Sequence, residues 1–289
     1  ARTVLELREI LRRFRCESRY EKSIGFVPTM GYLHAGHTSL MDAARQETDF
    51  LIVSIFVNPT QFGPGEDYET YPRDEVRDLA LCRDHGVDCV FLPPVDEMVA
   101  AVPLVSVSVN RLTGSLCGRH RPGHFDGVTT IVTKLFNLVQ PDRAYFGQKD
   151  AQQLLVIQRM VQELAFPVSI RPCPTVREPD GLAMSSRNVR LTAAGRAAAP
   201  RIYQGLQKAA QLAADGERKT SVLIDAARSV METEPAIRIQ YLECRDRFFL
   251  DQLDRMDRPA LLAVAATVDG VRLIDNIFLD PPEIHGGSA

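Results

Sequence analysis

The sequence predicts an α/β protein in which a doubly wound parallel sheet is followed by a smaller C-terminal α+β domain, and three observations carry that expectation. First, short apolar segments rich in β-branched and aromatic residues, at 24–27, 50–57 and 89–92, are too brief for helices and read as strands. Second, helix-like stretches at 37–47 and 74–85 lie between them, each closed by polar or glycine signals, so strands and helices alternate. Third, the pattern changes after Pro174, where helical stretches precede three strand candidates. Alternation of the first kind gives a Rossmann-like sheet, because parallel strands need a long crossover and a helix supplies it.

Taken in order, the chain opens with Val4, Leu7, Ile10, Leu11 and Phe14 at helical spacing, an amphipathic helix with a solvated basic face. Glu6 and Glu9 among its arginines, and the lack of an apolar run, distinguish it from a targeting peptide. After the third strand, 105–109 reads as a strand, 129–138 as a helix, 144–146 as a strand, 151–164 as a helix and 168–171 as a strand. A first domain over 1–175 follows. Beyond it, 192–214 and 221–233 read as helices, and 237–243, 261–268 and 271–278 as strands, with Asp269-Gly270 as a hairpin turn between the last two. These make a second domain over 176–289, whose final HGGSA is expected to fray.

The 289 residues suffice for roughly two domains of about 150 residues each. A hydrophobic share of 45%, a charged share of 25% and a net charge of -3 are ordinary for a soluble protein and argue against a nucleic-acid partner. No apolar run approaches the roughly 18 residues of a membrane span, so no membrane association is expected. Cys16, Cys82, Cys89, Cys117, Cys173 and Cys244 form no C-x-x-C pair, which suggests neither a zinc knuckle nor a disulfide framework. Reduced thiols and a cytoplasmic location are the expectation.

Several segments carry candidate chemistry. Met30-Gly31-Tyr32-Leu33-His34-Ala35-Gly36-His37 leaves the first strand and opens a helix, where unpaired N–H groups and the helix dipole suit a phosphate. His34 and His37 can face one side and donate to phosphate oxygens; an H-x-x-H metal pair is the rival reading. Gln61, in the turn after the second strand, offers both a donor and an acceptor to a substrate bearing hydroxyl and carboxylate groups. Asp78, one turn into a helix, is a candidate to hold magnesium through water, with simple solvation as the alternative. Gly147-Gln148-Lys149-Asp150 repeats the strand-end pattern: Lys149 brings a mobile charge, Asp150 caps a helix or binds ribose hydroxyls, and Gln153 lies a turn further on. Met184-Ser185-Ser186-Arg187 joins hydroxyls to a guanidinium, a pattern for polyphosphate in a mobile loop. The basic loop Arg119 to Phe125 reads as a substrate rim or an interface.

Occurring together and in order, PTMGYLHAGH, SIFVNPTQFG, YPR, RPGHFDGV, FGQKDAQQ and MSSRN resemble the segments of the pantothenate synthetase family. HAGH is similar to the HIGH motif of a wider nucleotidyltransferase superfamily, and MSSR to its mobile KMSKS loop. The resemblance implies ATP-dependent joining of pantoate to β-alanine through pantoyl adenylate. It places ATP against Met30 to His37, Gly147 to Asp150, Val176 and Met184 to Arg187, pantoate at Gln61 and Gln153, and β-alanine at Gln61. It implies His37 as the catalytic histidine; for such a reaction, His34, His37, Lys149, Ser185 and Arg187 are the groups expected to neutralise the charge that spreads at the α-phosphorus. Mg2+ would accompany ATP, no tightly bound organic cofactor is expected, the C-terminal domain would act as a lid, and the chain would form a homodimer. An aminoacyl-tRNA synthetase fragment and a non-catalytic nucleotide sensor are the other readings of these motifs.

Overall fold

The computed structural model describes residues 1–281. The chain divides into two compact units, Ala1–Val176 and Arg177–Ala289. In the first, helices and strands run α1 (Val4–Glu17), β1 (Ile24–Thr29), α2 (Ala35–Glu47), β2 (Phe50–Ile55), α3 (Glu75–Asp84), β3 (Cys89–Phe91), α4 (Val95–Met98), α5 (Leu116–His120), α6 (His124–Val139), β4 (Arg143–Gly147), α7 (Ala151–Glu163) and β5 (Ser169–Cys173). The strands form one parallel sheet in the order β3-β2-β1-β4-β5, with Gly25 opposite both Leu51 and Arg143.

Side-chain alternation along the strands decides which helices cover each face. Ile24, Phe26, Ile52, Ala144 and Phe146 point to the side packed by α1, α6 and α7, whereas Val27, Leu51, Val53 and Tyr145 point to that packed by α2 and α3. Helix α6 is the main lining of the first face: Phe125, Val128, Ile131, Val132, Leu135 and Phe136 are all buried. Each such side chain contributes roughly 1.5–3 kcal/mol when fully buried. Helix α1 begins at a reciprocal cap, with Thr3 Oγ1 accepting from the Glu6 N–H and the Glu6 carboxylate accepting from the Thr3 N–H.

The second unit contains α8 (Ala193–Ala198), α9 (Arg201–Ala214), α10 (Thr220–Met231) and an antiparallel sheet of β6 (Ile237–Asp246), β7 (Ala260–Val268) and β8 (Val271–Leu279) in that order. Its core joins Ile202, Leu206 and Ala209 of α9 and Leu223 and Ala227 of α10 to Leu262, Val264 and Ala266 of β7. The hairpin expected at Asp269-Gly270 is present, and both residues take positive φ, 48° and 82°. No helix of the described residues is long and apolar enough to cross a membrane.

Two expected elements differ. Residues 105–109 form no strand: the Val107 N–H donates to Thr130 Oγ1 and its carbonyl accepts from the Thr129 hydroxyl, so α6 side chains take the place of a neighbouring strand. The helix expected over 192–214 is two, because Pro200 lacks an N–H and its ring blocks the turn before it. The short helices α4 and α5 are additional to the expected elements, because segments of four and five residues carry no periodic signal. The terminal HGGSA lies outside the described residues.

Candidate active site

In the sheet order, β1 and β4 are neighbours whose connections run in opposite directions, from β1 to β2 and from β4 to β5, a switch point at which carboxyl ends of strands leave a ligand crevice. At the end of β1 the chain turns sharply, with φ of 83° at Gly31 and 48° at Tyr32. A Cβ at Gly31 would lie 2.9 Å from Ile55 Cγ2 and 3.1 Å from Asp78 Oδ2, so the turn requires glycine. The N–H groups of Tyr32 and Leu33 each donate to one oxygen of Asp78 at 2.7 Å.

That geometry corrects the expectation for Asp78. Its side chain is 1% exposed, and both oxygens are committed to main-chain donors, so it anchors the turn before α2 and is neither solvated nor placed to hold magnesium through water. Burial pushes the Asp78 carboxyl above its ordinary value, against the pull of the Leu33 and Tyr32 N–H groups.

The anchored turn delivers His34 to the N-cap of α2. His34 Nδ1 accepts from the Gly36 N–H at 3.1 Å, and His37 Nδ1 accepts from the His34 N–H at 3.3 Å. The two imidazoles thus form a reciprocal cap, their ring centroids 4.1 Å apart. A ring nitrogen that accepts cannot carry the proton, so in both neutral rings the proton sits on Nε2. Burial, and then the charge of Lys149, holds His34 down to about 4. Burial also holds His37 well below its ordinary value, with His34 and Lys149 adding to the effect. At neutral pH the start of α2 therefore presents two uncharged Nε2–H donors. No group of three or more His, Cys, Asp or Glu among the described residues is placed to hold a metal, so the H-x-x-H metal reading finds no third ligand.

After β2, Asn58 starts a 3₁₀ turn, Pro59–Gln61. Asn58 is 2% exposed: its Oδ1 accepts from the N–H of Thr60 at 3.1 Å and its hydroxyl at 2.7 Å, and its Nδ2 donates to Gly127 O and Gln61 Oε1, both at 3.1 Å. Gln61 Nε2 in turn donates to Met30 Sδ at 3.0 Å, which ties the turn after β2 to the turn after β1. The placing role of Asn58 is not among the expected site roles, although an Asn-Pro dipeptide at a strand end is a turn-initiating signal.

Gly147 ends β4, and a 3₁₀ turn, Gln148–Asp150, leads into α7. Lys149 Nζ lies 3.6 Å from Asp150 Oδ2. Asp150 occupies the N-cap position of α7 but makes no side-chain cap bond, so the capping role considered for it is not adopted. β1 and β4 are parallel neighbours in the sheet, which sets the turns at their carboxyl ends side by side. Gln153 is half-buried in the first turn of α7, beside Gln152, whose Nε2 donates to Leu112 O and Ser115 O at 2.8 Å. Val176 closes the first unit.

In the second unit, Met184 leads into Ser185, the cap of a 3₁₀ turn, Ser186–Arg190, where Ser185 Oγ accepts from the Arg187 N–H at 3.2 Å. The segment before it is braced by Arg177, whose guanidinium pairs with both oxygens of buried Asp275 at 2.6 and 2.9 Å and lies 3.5 Å from the centre of the Tyr203 ring. Asn188 Nδ2 donates to Ala183 O at 3.1 Å.

A parallel sheet with paired histidines at the helix start after its first strand, and a lysine after its fourth, defines an α/β protein whose strand ends offer the kind of donors and charge that suit a phosphate. Within that class the chain belongs to the pantoate–β-alanine ligase family, whose model matches residues 1–278. A pantothenate synthetase of Thermotoga neapolitana is 52% identical over 277 residues, covering 96% of this chain and 99% of the relative. The crystal structure of a pantothenate synthetase from Thermus thermophilus superposes with a TM-score of 0.90 at 46% identity, covering 96% of this chain and 98% of the other. A pantoate–β-alanine ligase from Francisella tularensis, complexed with β-γ ATP and β-alanine, gives a TM-score of 0.79 at 33% identity, covering 96% of each chain.

Proposed function

We propose that this chain joins pantoate to β-alanine using ATP, through pantoyl adenylate, and releases AMP and pyrophosphate. Family membership supports the reaction, and the reciprocal histidine cap at α2 supports the chemistry. A carboxylate does not acylate an amine at neutral pH, because its leaving group is poor. In the proposed first step a pantoate carboxylate oxygen attacks the α-phosphorus of ATP and pyrophosphate departs. The Nε2–H groups of His34 and His37, with Lys149, Ser185 and Arg187, would stabilise the charge that spreads over the phosphate oxygens. In the second step the neutral amine of β-alanine attacks the acyl carbon, loses a proton and expels AMP.

In this reading ATP contacts Met30 to His37, Gly147 to Asp150, Val176 and Met184 to Arg187; Gln61 and Gln153 bind pantoate, and β-alanine also enters at Gln61. Magnesium arrives with the nucleotide as part of the substrate and screens its β and γ phosphates. Residues 1–175 bind nucleotide and pantoate, and 176–289 act as a lid. The chain works in the cytoplasm, without nucleic acid, as a homodimer. An uncharged stretch over 101–109 supports self-association: Val102, Leu104 and Val105 are exposed there, and it can meet a second copy without like-charge repulsion.

Oxygen-18 in the pantoate carboxylate tests the route. Attack at the α-phosphorus makes a labelled oxygen the bridge of the adenylate, so mass spectrometry should find one label in AMP. Label in inorganic phosphate, or ADP as product, overturns the mechanism, and ATP binding without turnover identifies a sensor. Separately, Gln61→Ala and Gln153→Ala should each weaken pantoate use by about 1–3 kcal/mol, because substrate polar groups lose their partners. Calorimetry should show ATP affinity nearly unchanged; a large fall there moves both residues out of the pantoate subsite.

A further inference from the structure

The basic loop before α6 makes contacts that the proposed chemistry does not use. Arg121 donates through Nε to Glu66 Oε1 at 2.7 Å and through Nη2 to Glu66 Oε2 at 2.5 Å. Nη2 also reaches the main-chain carbonyl of Gln61 at 3.2 Å, and Nη1 lies 3.0 Å from His124 Nε2. His124 Nδ1 lies 2.8 Å from the same Gln61 carbonyl. Because a guanidinium only donates, His124 Nε2 must accept, so the ring proton sits on Nδ1 and is donated to Gln61. This is the opposite tautomer from His34 and His37. His124 is 9% exposed, and burial, followed by the Arg121 charge, holds it down to about 4, against the opposing pull of the Gln61 carbonyl, Glu66 and Asp150. Burial pushes the Glu66 carboxyl up, but its bonds to Arg121 and that cation's charge hold it below its ordinary value.

Helix α6 also presses directly on this turn. A Cβ at Gly127 would lie 2.3 Å from Thr60 O and 2.7 Å from Gln61 N, so only glycine permits the approach. The Gly127 carbonyl accepts from Asn58 Nδ2. Two side-chain donors thus fill the acceptor capacity of one carbonyl, that of Gln61, while the main chain behind it has no room to shift.

We infer that Arg121 and His124 are positioning residues that fix the Gln61 peptide, and through it the direction in which the Gln61 side chain meets its substrate. This rests on Gln61 being a pantoate contact. A contact group gains from being held within about 0.5 Å of its working geometry by locked neighbours.

A double-mutant cycle tests it. His124→Leu should raise the KM for pantoate roughly tenfold while ATP affinity changes less than about twofold, and His124→Asn, which keeps a donor near Nδ1, should restore most of the loss. In a Gln61→Ala background, His124→Leu should change the pantoate KM by less than about twofold, because no side chain remains to be positioned. Additive effects in the double variant, or an unchanged KM in folded His124→Leu, overturn the inference. Should His124→Leu fail to fold, Arg121→Lys, which keeps the charge but loses the fork, enters the same cycle with the same expected outcomes. An unchanged pantoate KM in Gln61→Ala alone overturns the substrate reading of Gln61 and this inference with it; a raised KM there with additive double-variant effects overturns this inference alone.

Discussion

Lys149→Ala is expected to give a folded protein whose adenylation rate has fallen by roughly 10² to 10³, the usual cost of losing one preorganised contact to developing charge. The fold should tolerate it, because Lys149 sits on a turn between β4 and α7 and belongs to neither core of the first unit. The rate should not, because the two histidines beside it are uncharged and leave Lys149 to supply positive charge at this strand end. The variant has a second signature. Lys149 is among the charges that hold His34 down, so its removal should raise the proton affinity of His34, visible as an upward shift of that imidazole in an NMR titration. Single-turnover pyrophosphate release measures the main effect. Near-normal release by the folded variant sinks the assignment of Lys149 to the transferring phosphate.

Strand ends and glycine turns made much of the crevice legible in the sequence. PTMGYLHAGH and FGQKD each follow a short apolar run, and a parallel sheet with a switch point brings such ends together. What the sequence does not display is which polar groups are consumed in placing others. Asp78 looks like an available carboxylate one turn into a helix, and only the fold of residues 30–33 against α3 turns its oxygens onto two N–H groups. Arg121 and His124 look like a basic rim, and their work on Gln61 depends on a contact across some sixty positions of sequence. Residues 105–109 have the composition of a strand but lack a partner edge, since α6 lies beside them. Pro200 is a break signal, yet the helical pattern continues across it and masks that signal.

Buried neutral histidines also fix how the protein should respond to acid. His34 and His124 each bind a proton with a pKa of about 4 when folded, against about 6.5 in the unfolded chain, and His37 is shifted in the same direction. Above pH about 6.5 neither state is protonated and these groups contribute no pH dependence. Between about 6.5 and 4 the unfolded chain takes up protons that the native state refuses, so stability falls as pH falls; below about 4 the native rings protonate too and the loss is complete. At about 1.4 kcal/mol per pH unit, His34 and His124 should each remove about 2 kcal/mol between pH 6.5 and 5. Asp78 acts the other way, since its raised pKa makes the folded state hold a proton more readily in acid. Isolating one histidine avoids that offset. Urea unfolding of the wild type and of His124→Asn at pH 7 and pH 5 should show the variant losing about 2 kcal/mol less over the interval. Equal losses in the two proteins are the result that sinks the account, because they would mean that His124 titrates alike in the folded and unfolded chains and that its neutral, Nδ1-protonated state is not imposed by the fold.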